Sequence, residues 1–207
     1  MEPVIVAHGL WMPGFETGVL RRRLAAAGFE PHLFRFRTVR ETLLGNAERL
    51  ARFSEQVGGD RVHYVGYSLG GVVAVTMLQT FGRARPGRAV CLGAPLNGSA
   101  AGSKLETLPG GTRVLGRSMR DLIERGGVDA WRGPGELGIV AGTLGIGLGR
   151  MLGGLPLPND GTVGVVETEL VGATDHITLP VSHTTMMFSE RVAHQVACFL
   201  RGGRFER

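Results

Sequence analysis

The chain is 207 residues long, enough for one domain with a substantial core, and its 43% hydrophobic and 20% charged residues are those of an ordinary globular protein. Its 34 glycines point to many tight turns and glycine-rich loops. The formal charge of +5 comes almost wholly from arginines scattered without interleaved aromatics, which argues against a nucleic-acid surface and leaves room for contact with an anionic membrane surface or an acidic substrate. No basic and apolar leader precedes the first structured residues, and no apolar run approaches the roughly 18 residues of a membrane span. Cys91 and Cys198 both sit among apolar residues and read as reduced, buried thiols, so a cytoplasmic protein is expected.

Val4 to Ala7 reads as a short strand buried on both faces, followed by a glycine-rich loop from His8 to Gly14. Thr17 to Ala27 reads as a helix stopped by Gly28. His32 to Arg37 alternates apolar and basic residues as an edge strand does, and Thr38-x-x-Glu41 has capping-box spacing for a helix running to Val57. Arg61 to Val65 has strand character, and Leu69 to Phe81 is an apolar, proline-free run that suits a buried helix. Ala89 to Leu92 is a further buried strand. An irregular stretch, a helix over Arg113 to Arg125, and strands at Leu137 to Ala141 and Ile177 to Val181 complete the series. Ser189 caps a last helix, with Val192, Val196, Phe199 and Leu200 facing inward. Strands alternating with helices predict a mostly parallel sheet covered on both faces, with its chemistry at the carboxyl ends of the strands.

Gly66-Tyr67-Ser68-Leu69-Gly70 falls where the third of these strands turns directly into a helix. Such a turn strains the serine backbone, exposes its hydroxyl and sets a helix N-terminus beneath it. A serine hydroxyl needs a base, and the base needs an orienting acid. His183, in Ser182-His183-Thr184 after the last strand, falls at the same rim, whereas His176 precedes that strand. Asp160, in Asn159-Asp160-Gly161, lies between Ser68 and His183 in chain order; Asp175 shares the wrong end with His176. The N–H groups of Leu69 and of Leu10, in His8-Gly9-Leu10-Trp11, are the expected oxyanion donors. His8 reads as a prop for that loop.

These segments, with Gly93-Ala94-Pro95-Leu96-Asn97-Gly98-Ser99, together resemble a small α/β-hydrolase of the bacterial lipase/esterase kind, over about residues 4 to 201. The resemblance implies a minimal α/β-hydrolase fold: about six strands in the family order 4-3-5-6-7-8, helices on both faces, and no large lid domain. It also implies a serine hydrolase cleaving carboxylic esters, with a thioesterase or acyltransferase as the alternative and a non-catalytic ligand-binding relative as a distant third. The expected partner is a small-molecule ester or lipid-like acyl substrate, with peripheral membrane contact allowed. Gly98 to Leu108 and the run from Thr143 to Pro158 (Leu144, Ile146, Leu148, Met151, Leu152, Leu155, Leu157) are candidate walls of an acyl site, with Trp11 at its mouth. Plugging the core is an equal reading of that run. No Cys/His pair with metal-ligand spacing is recognised, so neither metal nor cofactor is expected.

Overall fold

Six segments pair side by side: β1 (Glu2–Ala7), β2 (Phe29–Phe34), β3 (Val62–Tyr67), β4 (Pro86–Leu92), β5 (Leu137–Gly142) and β6 (Asp175–Leu179). The computed structural model describes residues 1–82, 86–147 and 154–207. The sheet order is β2-β1-β3-β4-β5-β6, the order expected, and every neighbouring pair among the described residues is parallel. The inner strands β3 and β5 are buried at every position, while the edge strands β2 and β6 are partly open. This is why the inner strands read as continuous apolar runs and the edges do not.

Alternate side chains of each strand enter different layers. Val4 and Val6 of β1 pack with Leu20 and Leu24 of α1 (Gly18–Ala26) and with Val196 and Phe199 of the last helix. Ile5 and Ala7 face the other way, toward α2 (Leu43–Gln56), α3 (Leu69–Phe81) and α5 (Gly111–Arg125). Each fully buried aliphatic side chain there contributes about 1.5–3 kcal/mol. The described residues also include the short α-helices α4 (Ala100–Glu106), α6 (Val165–Thr168) and α7 (His183–Met186), and the longer α8 (Glu190–Gly202). Ser189 caps α8 as expected, its hydroxyl accepting from the Val192 N–H at 3.3 Å. Among the described residues no helix is long and apolar enough to cross a membrane.

Several expectations shift. The helix expected from Thr38 begins only at Leu43, capped by Thr42, whose hydroxyl accepts from the Gly45 N–H at 3.0 Å. Residues 38 to 41 are engaged elsewhere: Thr38 Oγ1 accepts from the Trp11 N–H, and the Val39 carbonyl accepts from Arg117 N–H at 2.9 Å. The edge strand runs Phe29–Phe34 because its register against β1 ends at Ala7 opposite Phe34. β6 starts two residues earlier than expected, at Asp175. α4 lies in a stretch read as irregular. Cys91 is buried, but Cys198 is not: it sits on the half-open side of α8, one turn from His194.

Candidate active site

β3 passes into α3 through Ser68, whose φ of 52° and ψ of −124° lie where non-glycine residues are rarely found. The glycines around it permit the close approach. A Cβ on Gly66 would stand 2.4 Å from Gly71 Cα, and one on Gly70 would stand 2.5 Å from the carbonyl oxygens of Ala7 and His8. The start of α3 is thus pressed against the loop that leaves β1.

His183 opens α7 behind Ser182, which caps it by accepting from the Thr185 N–H. Its Nε2 lies 3.1 Å from Ser68 Oγ and its Nδ1 lies 2.7 Å from Asp160 Oδ2. An ionised carboxylate only accepts, so Nδ1–H donates to Asp160 and Nε2 faces the serine with its lone pair. Asp160 is 1% exposed, and its other oxygen accepts from the N–H groups of Thr162 and Val163 at 2.9 and 2.7 Å. The Asp160 carbonyl also accepts from the His183 N–H at 2.8 Å, so acid and imidazole are held by backbone as well as side chain. Ser68, Asp160 and His183 therefore meet at one rim of the sheet, with Ser68 half-buried there.

Leu69 is the first residue of α3, so its N–H has no intrahelical acceptor. Leu10 follows the β1 loop that Gly70 touches. His8 holds that loop: its Nδ1–H donates to the Gly9 carbonyl at 2.8 Å, Nε2 accepts from the Phe36 N–H at 3.3 Å, and the ring stacks on Phe36. His176 lies in β6 against the Thr168 hydroxyl, and Asp175 accepts from Phe205 N–H and Arg207, both at the opposite end of β6 from residues 181–183.

No protein-family model matches the sequence, and no curated protein matches it. Solved structures do. The mature form of the Bacillus licheniformis lipase BlEst2 superposes with a TM-score of 0.73 at 18% identity, covering 97% of this chain and 91% of that one. An esterase from Thermogutta terrifontis gives 0.69 at 14% identity, covering 97% and 90%. A bromoperoxidase from Bacillus anthracis gives 0.67 at 15%, covering 97% and 92%. The chain has the α/β-hydrolase fold. Among the described residues there is no large lid domain, as the sequence implied, and the activities named for its neighbours differ, so the fold alone selects none of them.

The walls expected around this α/β-hydrolase rim separate into two places. Trp11, 52% exposed with φ +58°, donates its indole N–H to the Val114 carbonyl of α5 at 2.8 Å. Leu144 and Leu155 instead line a groove of about 520 Å³ with Ile146, Leu157 and Asn159, and Trp11 is not part of it. The groove adjoins the acid turn, since a Cβ on Gly161 would stand 2.3 Å from the Ile146 carbonyl carbon. Leu148, Met151 and Leu152 lie outside the described residues.

Three supporting residues escaped the sequence reading. Tyr67 donates its hydroxyl to the His183 carbonyl at 2.9 Å and lays its ring beside the imidazole; burial, with the charge of Asp160, pushes its phenol well above the usual range, so it stays a donor. Gly93, with φ +53°, leaves the space in which Asp160 and His183 meet. Glu167, 5% exposed, accepts from the N–H groups of Gly164 at 2.6 Å and Ala100 at 2.5 Å. Tyr67 and Gly93 fall in segments the sequence marks, without their roles being read. Glu167 left a signal of its own, an acid three residues into a short helix, the spacing that returns a side chain to its N-cap.

Proposed function

We propose that the protein is a serine hydrolase that cleaves carboxylic esters through an acyl-enzyme. The observation that carries this reading is one imidazole in hydrogen-bond contact with a strained serine on one side and a buried carboxylate on the other. In the proposed reaction Ser68 Oγ attacks the ester carbonyl carbon as His183 Nε2 takes its proton. Asp160 holds the ring and stabilises the imidazolium that results. The N–H groups of Leu69 and Leu10 receive the developing oxyanion. The tetrahedral intermediate collapses, the C–O bond to the alcohol breaks, and His183 returns the proton to the leaving oxygen. Water then repeats the sequence on the acyl-enzyme, releasing the acid and restoring the serine.

The substrate we propose is a small acyl ester, its chain received by the apolar groove of Leu144 and Leu155 beside the acid turn. The lipase and esterase names of two structural neighbours support the ester class without naming a substrate. Unpaired Cys91 and Cys198 suit a reducing, cytoplasmic setting.

A fluorophosphonate probe and a p-nitrophenyl ester series from acetate to palmitate test the reading together. The wild-type chain is expected to take up the probe and turn over esters, and Ser68→Ala to do neither. A wild-type chain that stays unlabelled overturns the proposal. Labelling without ester turnover at any chain length moves the reaction to a thioester or to acyl transfer.

A further inference from the structure

One side of α8 and the tail that follows it bring together three donors that the proposed reaction does not use. His194 and Cys198 are four residues apart and share one face of α8. Contrary to the sequence expectation, this is a Cys/His pair with metal-ligand spacing.

The third donor arrives on the tail. Gly203, at φ +73°, closes the helix and turns the chain back along it. Phe205 is then buried against Phe199, its N–H donating to Asp175 Oδ2 at 2.9 Å. The amide of Gln195, itself 6% exposed, grips Glu206 at both backbone polar atoms: Glu206 N–H donates to Oε1 at 2.9 Å, and Nε2 donates to the Glu206 carbonyl at 2.8 Å. A buried side chain thus fixes the backbone that delivers the Glu206 carboxylate to α8. Its Oε2 lies 2.5 Å from His194 Nε2 and 3.7 Å from Cys198 Sγ, and Sγ lies 3.5 Å from Nε2.

We propose that His194 Nε2, Cys198 Sγ and Glu206 Oε2 bind a borderline divalent transition cation, Zn²⁺ first among them, with a fourth position open to solvent. Tetrahedral zinc with the usual bond lengths to sulfur, nitrogen and oxygen separates its donors by roughly 3.4–3.6 Å. The two separations from Cys198 Sγ, 3.5 and 3.7 Å, match that geometry within about 0.2 Å. Only the His194–Glu206 contact must open, by roughly 0.9 Å, when a cation replaces the proton those side chains share. Both side chains are more than half exposed and free to swing that far.

The donor set selects the metal. A single carboxylate is far from the oxygen cage that Ca²⁺ requires or the octahedron of Mg²⁺. Sulfur, imidazole and one carboxylate together suit Zn²⁺ and its chemical neighbours. On binding, the thiol releases its proton to solvent and coordinates as thiolate. The ion would fasten the last residues to α8 and, through Phe205 and Asp175, to β6.

The full chain, freed of metal, is titrated with Co²⁺ and then with Zn²⁺. Cys91 is sealed in the core, its thiol pushed up to about 12, so a thiolate-to-cobalt charge-transfer band reports Cys198 alone. One equivalent of Co²⁺ is expected to raise the band and one of Zn²⁺ to quench it. Affinity should fall about 100-fold or more in Cys198→Ser, His194→Ala or Glu206→Gln. Zn²⁺ should also raise Tm in the wild type but not in Cys198→Ser, whose ester turnover should match the wild type. No band on adding Co²⁺, or a zinc-induced Tm shift that survives Cys198→Ser, overturns the site and leaves a simple hydrogen-bonded tail clasp. Neither result depends on ester turnover, so the reading of Ser68 stands or falls separately.

Discussion

Gly93 shows how a residue without a side chain can decide the geometry of two that have them. A Cβ at this position would stand 3.0 Å from Asp160 Oδ2 and 3.1 Å from His183 Nδ1, and its φ of +53° already disfavours any L side chain. Gly93→Ala therefore pushes directly on the carboxylate–imidazole pair while straining its own backbone. The expected outcome is a loss of about 1–3 kcal/mol of stability. On the proposed mechanism a fall in kcat of about 10-fold or more should accompany it, because reacting groups displaced by a fraction of an ångström lose alignment. Urea unfolding and ester kinetics on the same preparation separate the two effects; an alanine variant with unchanged kcat would show that the pair has room to spare. The sequence marks Gly93 only as the start of the Gly93–Ser99 segment; its importance, the volume that Asp160 and His183 occupy, shows only in three dimensions. Ser68, Asp160 and His183 were legible for the opposite reason. Each sits in a local pattern, and chain order with a parallel sheet brings their positions to one rim.

At the scale of elements, Glu167 joins segments that neither share a strand nor follow one another. One oxygen serves α6 through Gly164, the other serves the opening of α4 through Ala100, and the Glu167 carbonyl accepts from the Asn97 N–H at 2.8 Å. Glu167→Ala strips one buried and one part-buried N–H group of their acceptor, so it should cost about 1–4 kcal/mol, the buried group carrying most of the usual penalty for a stranded donor. Glu167→Gln, which can accept with only one oxygen, should recover part of it. Thermal midpoints of the two variants check the ordering. The same contact explains why α4 was not legible: Ser99-Ala100-Ala101-Gly102 offers no sustained periodicity, and its first turn is held by a glutamate 67 residues away. The late start of α2 has a similar cause, because Thr38 and Val39 answer to Trp11 and Arg117. By contrast α3 is set by its own apolar run and α8 by its apolar pattern and the Ser189 cap, and their bounds follow the sequence closely.

For the whole molecule, three histidines enclosed by the fold make its stability depend on pH. Burial holds His8, His63 and His176 below their ordinary 6.5. His8 Nε2 accepts from the Phe36 N–H and His63 Nδ1 from the Arg88 N–H, so protonating either ring also removes an acceptor. As pH falls, the unfolded chain takes up these protons before the folded one does. The stability they contribute is therefore complete above about pH 6.5 and declines on acidification below it. Each unit by which a pKa is lowered corresponds to about 1.4 kcal/mol once the pH has passed below both values. Urea midpoints should consequently drop between roughly pH 7.5 and 5.5, and a flat profile would contradict the burial of these rings.

The backbone angles at Ser68 carry one further consequence. Glycine occupies that region at far lower cost than serine, so folding on its own would favour a bare methylene at the elbow. The hydroxyl therefore stands at that turn at a cost in stability, and Ser68→Gly should melt higher than the wild type while losing whatever the hydroxyl does.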